Sequence, residues 1–175
     1  MTGLEIGPIE PAHITEILEI EKTLFSTPWT RGMFEQEIAA RPGPDGPGTY
    51  SVVATVDGRV AGYAVAWFID EGVHLMNIAV RREFQRRGVG RQLLGDLIES
   101  ASTGGKRFIV LEVRASNTAA QAFYRAFLFE DVGVRRRYYA DNGEDAVLMA
   151  RGLPPLVERE TRGVKKRGQR KRTSG

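Results

Sequence analysis

The chain has 175 residues, 42% hydrophobic and 27% charged, with no cysteine, which fits one ordinary globular domain with an appendage at most. Zero cysteine excludes disulfides, thiolate metal ligands, iron–sulfur clusters and a cysteine nucleophile. The net charge of +3 divides at Pro154, since residues 154–175 carry eight Lys and Arg against two Glu; an acidic body with a basic tail is not a uniformly basic nucleic-acid binder.

Leu4 to Ile9 alternates weakly and is expected as a first strand, with Pro11 placed where a helix's first turn tolerates it. Ile14, Ile17, Leu18, Glu21, Leu24 and Phe25 recur at helical spacing, broken only by Glu21. After Ser26-Thr27-Pro28-Trp29, residues Thr30, Phe34, Ile38 and Ala39 suggest a second short helix ending before Arg41. Pro42 to Gly48, with three Pro and three Gly, cannot be regular structure. Tyr50 to Val56, Val60 to Ile69 and Val73 to Val80 are joined by Asp57-Gly58-Arg59 and Asp70-Glu71-Gly72, and read as an antiparallel meander. Val89, Leu93, Leu94, Leu97, Ile98 and Ala101 form a helical stripe closed by Gly104-Gly105. Phe108 to Val113 is the next strand. Ala119, Ala122, Phe123, Ala126 and Phe127 mark a helix, and Val132 to Tyr139 with Ala146 to Met149 suggest a closing hairpin.

The step from Val73–Val80 through the helix at 88–103 to Phe108–Val113 needs a parallel crossover, so the sheet is mixed. The expected class is α+β, a mixed α/β sandwich with helices on both faces of a sheet of about seven strands. The domain is placed at 1–153 and a basic tail at 154–175. The longest apolar run, Tyr63 to Ile69, is far short of the roughly 20 residues a membrane span needs. No basic residue precedes Lys22 to make a signal-peptide n-region, and a cytoplasmic location is expected.

Gln85-Arg86-Arg87-Gly88-Val89-Gly90 lies between a strand and a helix, where the unpaired N–H groups of a first turn and a positive helix end suit a phosphate. Five arginines, Arg81, Arg82, Arg86, Arg87 and Arg91, against Glu83 add local positive charge. Two glycines before a helix also make a plain tight turn. The pattern is neither a dinucleotide fingerprint, because Leu93 stands at the third glycine, nor a P-loop. Glu112 is the one polar residue in a strand apolar on both faces, so its carboxylate either faces a cleft or is paired, with Arg114 the nearest candidate along the same face. Tyr124 taken alone reads more readily as core packing with its hydroxyl reaching water. His13 and His74, the only histidines, have no spacing for a catalytic triad or a multi-histidine metal site, and no metal is expected.

Asn77-Ile78-Ala79-Val80, the glycine loop, Leu111-Glu112-Val113-Arg114-Ala115-Ser116-Asn117 and Ala122-Phe123-Tyr124 together resemble the GCN5-related N-acetyltransferases (GNAT). Pro28-Trp29-Thr30, Arg137-Tyr138-Tyr139 and Glu144-Asp145-Ala146 resemble, more narrowly, the bacterial RimI branch, which acetylates the N-terminal alanine of a small-subunit ribosomal protein. The resemblance runs from about Ile6 to Leu153 and implies acetyl-CoA as cosubstrate. It implies that Ile78, Ala79 and Val80 hold the pantetheine arm, and that Arg86, Arg87, Gly88, Val89, Gly90 and Arg91 hold the pyrophosphate. Asn117 is implied as a further cofactor contact, Glu112 as general base and Tyr124 as the acid for the departing thiolate. Trp29, Tyr138 and Tyr139 are implied at the acceptor. The acyltransferase fold it implies is splayed between the strands ending at Val80 and Val113. One departure stands out. The family has Leu-Gly-Phe after the tyrosine helix where this chain has Phe127-Leu128-Phe129, so Leu128 either strains that turn or the helix ends differently.

An α-amine with pKa about 7.7–8.0 is partly neutral at pH 7, whereas lysine near 10.4 is harder by some 3.5 kcal/mol, so an N-terminal amine is the easier substrate. The alternatives are an acetyltransferase for a small amine or protein lysine, and a non-catalytic CoA-binding or RNA-associated module. The tail reads either as a solvated segment or as an electrostatic attachment to ribosomal RNA.

Overall fold

Asp57 and Gly58 both take positive φ, +50° and +78°, the two-residue turn whose twist matches a hairpin. In this computed structural model, which describes residues 3–41 and 47–155, that turn joins the second and third of seven strands. The expected irregular stretch from Pro42 lies outside the described residues as far as residue 46, and so does the tail from residue 156.

The elements in order are β1 (Leu4–Pro8), α1 (Ile14–Leu24), α2 (Arg31–Ala39), β2 (Gly48–Val56), β3 (Arg59–Ile69), β4 (Gly72–Val80), α3 (Val89–Thr103), β5 (Phe108–Arg114), α4 (Thr118–Ala126), β6 (Glu130–Tyr139) and β7 (Glu144–Gly152), with short 3₁₀ turns at Pro11–His13 and Arg82–Phe84. Two boundaries differ from expectation for local reasons. Phe25 is extended and ends α1, and Thr30 is the N-cap of α2, accepting a hydrogen bond from the Met33 N–H instead of lying inside the helix.

The sheet order is β1-β2-β3-β4-β5-β7-β6, and β4–β5 is its parallel pair, as the crossover through α3 requires. Ile14, Ile17, Ile20 and Phe34 of α1 and α2 pack on Val53, Tyr63 and Val65. Leu94 and Leu97 of α3 pack with Leu75, Ile109, Leu111 and Met149, while Leu93 meets Ala54 and Ala64. Each buried Leu or Ile of this kind contributes about 1.5–3 kcal/mol, so the helix stripes fix both layers of the sandwich.

Two irregularities open the sheet. Between β3 and β4 the register passes from Val65–Asn77 to Ala66–Leu75, leaving Met76 as an extra residue, a bulge that bends β4. Pairing of β4 with β5 then stops at Leu75–Leu111, although β5 continues alongside β7 to Arg114. Beyond Leu75 the two parallel strands diverge, and the edge of β4 over Met76 to Val80 has no strand partner on that side.

Candidate active site

Two clefts meet at this divergence. The first, of about 800 Å³, is lined by Ile78, Ala79 and Val80 of β4, by Gln85, Arg86, Gly88, Gly90 and Arg91 before and within α3, and by Ala119, Ala120, Ala122, Phe123 and Tyr124 of α4. The second, of about 470 Å³, is lined by Glu21 and Leu24 of α1, the Phe25–Trp29 connection, Asn77, Ile78, Glu112, Arg114, Asn117, Ala120, Tyr124 and Tyr139. Ile78, Ala120 and Tyr124 border both.

Gly88 is the N-cap of α3 at φ +88°, and a Cβ there would meet nothing within 4 Å, so the backbone is open to a ligand on that side. At Gly90 a Cβ would lie 3.5 Å from Val80 and 3.6 Å from Phe123, two side chains of the cleft wall. The first N–H groups of α3 lack intrahelical partners by construction, and the helix end carries about half a positive charge. This polar end with Arg86 and Arg91 suits a pyrophosphate, and the apolar wall with the free edge of β4 suits an amide-bearing chain. The residues present therefore fit coenzyme A.

Several expected contributors are engaged elsewhere. Arg81 bonds to the Val60 carbonyl and pairs with Glu16 and Glu19, tying β4 to α1. Arg87 lies 5.4 Å from the Phe84 ring centroid and does not line the first cleft. Val89 is buried in the core. Asn117 caps α4 by accepting from the Ala120 N–H and borders the second cleft instead of the first. Tyr138 is exposed, with its ring edge-on to Tyr139, whereas Trp29 and Tyr139 line the second cleft.

Glu112 lies in the wall of the second cleft with its side chain 6% exposed. Its partner is not the expected Arg114. The Oε2 atom is 2.5 Å from His74 Nε2, and Oε1 is 3.2 Å from Arg135 Nη2. Arg114 instead holds Asp141 at 2.8 Å and Glu144 at 3.2 Å, and covers the Tyr139 ring at 3.9 Å. Hydrogen bonds from Ser116 and from Arg114 hold the Glu144 carboxyl down to about 2. Ser26 donates to Asp141, so the α1–α2 connection and the β6–β7 turn are joined across the mouth.

Glu21, which appears in the sequence only as a break in an apolar stripe, is fully buried. It accepts from the Trp29 N–H at 2.6 Å, from Asn77 Nδ2 at 2.8 Å and from the Tyr63 hydroxyl. Burial raises its pKa, and the bonds from Trp29 and Asn77 oppose that rise. The signal in the sequence is chemical: a carboxylate on the core face of a helix needs donors to hold it.

Tyr124 is positioned by the end of α4. The Phe129 N–H bonds to the Tyr124 carbonyl and the Leu128 N–H to the Arg125 carbonyl, with the Tyr124 and Phe129 rings 5.7 Å apart. That is a complete Schellman closure, and Leu128 adopts its left-handed position at φ +64°. The turn is therefore strained but not rerouted. Burial, with a smaller contribution from Tyr139, pushes the Tyr124 phenol well above its usual range. It stays protonated, and it is better suited to donate a hydrogen bond to a developing thiolate than to surrender its proton completely.

Among the described residues no group of three or more His, Cys, Asp and Glu side chains is placed to hold a metal, and no helix is long and apolar enough to cross a membrane.

Residues 14–129 match the acetyltransferase (GNAT) family. The chain is 39% identical over 134 residues to the ribosomal protein bS18-alanine N-acetyltransferase of Salmonella typhimurium, covering 75% of this chain and 86% of that protein. It is 36% identical over 154 residues to the N-alpha-acetyltransferase RimI of Mycobacterium tuberculosis, covering 83% and 90% respectively. The crystal structure of the ribosomal-protein-S18-alanine N-acetyltransferase from Escherichia coli superposes with a TM-score of 0.76 at 32% identity, covering 89% of this chain and 97% of that one.

Proposed function

The chain belongs to the acetyltransferase (GNAT) family, and on that premise we propose that it moves an acetyl group from acetyl-CoA to the N-terminal alanine of a small-subunit ribosomal protein. The observation that carries this reading is the meeting of the two clefts at Ile78 and Tyr124, one built for a phosphate-bearing chain and the other walled by carboxylates.

Arg86, Arg91, Gly88 and Gly90 with the first turn of α3 would hold the pyrophosphate, and Ile78, Ala79 and Val80 the arm behind it. The bound cosubstrate supplies an activated acyl thioester. Glu21 anchors Trp29 through its backbone N–H, which shapes one side of the acceptor cleft. Arg114 and Asp141 shape the opposite rim, and Ser26 of the α1–α2 connection bonds across to both. An α-amine that has left its first proton in solvent meets Glu112, whose Oε1 takes the second as the nitrogen bonds to the acyl carbon; the C–S bond then breaks, and CoA leaves as a thiolate that takes its proton from solvent. Tyr124 donates its hydroxyl hydrogen bond toward the departing sulfur. Holding amine and acyl carbon within ~3–3.5 Å of each other supplies much of the rate.

The test is a panel of acceptors with the full chain and acetyl-CoA, read by CoA release and product mass: a peptide with a free N-terminal alanine, the same peptide N-blocked with an internal lysine, and small amines. Efficient turnover of the first alone is expected. Faster acetylation of the lysine peptide or of a small amine would overturn the N-terminal assignment.

A further inference from the structure

Glu112 has a second side that the reaction above does not use. His74 Nε2 lies 2.5 Å from its Oε2, and the two side chains are 21% and 6% exposed. The other oxygen, Oε1, is buried and among the described residues makes no hydrogen bond, and its one charged neighbour is the Arg135 guanidinium, paired with it at 3.2 Å. The His74 ring stands edge-on to Trp67, with centroids 6.4 Å apart at 86°. It also borders a separate depression of about 440 Å³ between Ile69, Gly72, Phe108 and Val110, where Ile69 and Phe108 remain exposed. His74 therefore joins the buried base to water outside the acceptor cleft.

The geometry points to His74 as the positioning residue of the base: the neutral ring donates its Nε2–H to Oε2 and leaves Oε1 free for the acceptor amine, and protonation of the ring from the outer depression switches the base off. A neutral donor orients a carboxylate at small cost to its basicity, whereas an imidazolium against the same oxygen strongly favours the ionised form and makes it a poor proton acceptor. The amine proton goes to Oε1 and none crosses to His74 during turnover. The other titratable or charged groups facing the pair are Arg114 of β5, Arg135 and Tyr139 of β6, Tyr124 of α4, Glu21 of α1 across the cleft, and Asp70 and Glu71 beside the outer depression. Arg135 keeps its charge throughout and adds no pH dependence. The inference rests on the acetyltransferase reading.

The experiment compares wild type, His74→Ala and His74→Gln with an N-terminal alanine peptide from pH 6 to pH 9, and measures acetyl-CoA affinity by calorimetry. His74→Ala is expected to lose on the order of tenfold in kcat at pH 8, the value of one hydrogen bond to a charged group, with acetyl-CoA affinity unchanged. His74→Gln keeps a donor but cannot take up a proton. Its rate relative to wild type should therefore rise as pH falls, the protonation of the amine cancelling in the ratio. A wild-type rate in His74→Ala, or a flat ratio for His74→Gln, overturns the proposal, and the ratio alone decides if His74→Ala does not fold. Nitrogen-15 spectra of the ring give a readout independent of turnover. A neutral ring protonated on Nε2 supports the pair, and one protonated on Nδ1 overturns it. A wild type inactive on every N-terminal peptide would instead refute the assigned reaction, with the tautomer still deciding the pair.

Discussion

Alanine at Gly88 and alanine at Gly90 should weaken acetyl-CoA binding together while moving stability in opposite directions. Gly88 sits at φ +88°, and a Cβ there meets no atom within 4 Å, so the cost is conformational and not steric. An L-residue in that region pays about 1–2 kcal/mol, which for a chain of this size lowers Tm by roughly 2–8 °C. The loop relieves this strain by leaving the left-handed conformation, which turns the first N–H groups of α3 off the pyrophosphate. Whatever part of the 1–2 kcal/mol is relieved in the free protein spares Tm and returns as weaker binding, up to about 5–30-fold in Kd. Gly90 is the second residue of α3, and its added methyl would make ordinary contacts at 3.5 and 3.6 Å to Val80 and Phe123. Replacing a helical glycine by alanine gains up to about 1 kcal/mol, so Gly90→Ala should raise Tm while its methyl narrows the cleft and raises Kd. Calorimetric titration with CoA and thermal melts of both variants supply the four numbers. Unchanged affinity in Gly88→Ala with Tm also unchanged would refute the assignment of this loop to the pyrophosphate.

Glu112→Gln should reduce kcat by about 10²–10⁴, the usual contribution of a general base, with acetyl-CoA affinity close to wild type; near-normal turnover removes Glu112 from that role. Leu128→Gly should stabilise the fold slightly, by a few tenths of a kcal/mol and no more than ~1 kcal/mol, because relief of about 1–2 kcal/mol at φ +64° is partly offset by the extra freedom glycine has when unfolded. At 72% exposure the leucine buries little to lose. A lower urea midpoint in that variant would show that its packing outweighs its strain.

The parts of the site that lie close together in sequence were legible there. The turn glycines, the arginine loop before α3, the parallel crossover and the lone carboxylate in β5 each follow from local pattern. What escaped depends on partners far away in the chain. Arg81 looks like a phosphate ligand beside Arg82 and Arg86, yet Glu16 and Glu19 of α1 claim it. Arg114 looks like the partner of Glu112, yet the β6–β7 turn supplies Asp141 and Glu144 for it. Nothing in the sequence joins His74 to Glu112, because nothing local states the register of a parallel pair. The match of Gly72–Leu75 with Phe108–Leu111 is what brings it to Glu112. Leu128 shows the converse. Its departure from the usual glycine is visible, but only the two hydrogen bonds after α4 show that the helix still closes with residue 128 in the left-handed position, directly after Tyr124.

The early parting of β4 from β5 gives the molecule two mouths. On the proposed assignment the cosubstrate takes the opening beside α3 and α4 and the acceptor takes the second cleft, bridged at its mouth by Ser26 and Asp141, so neither has to clear the doorway for the other. Spent CoA can leave while an acetylated chain end is still seated, and a compound joining both substrates must be slender where Ile78, Ala120 and Tyr124 border the two passages.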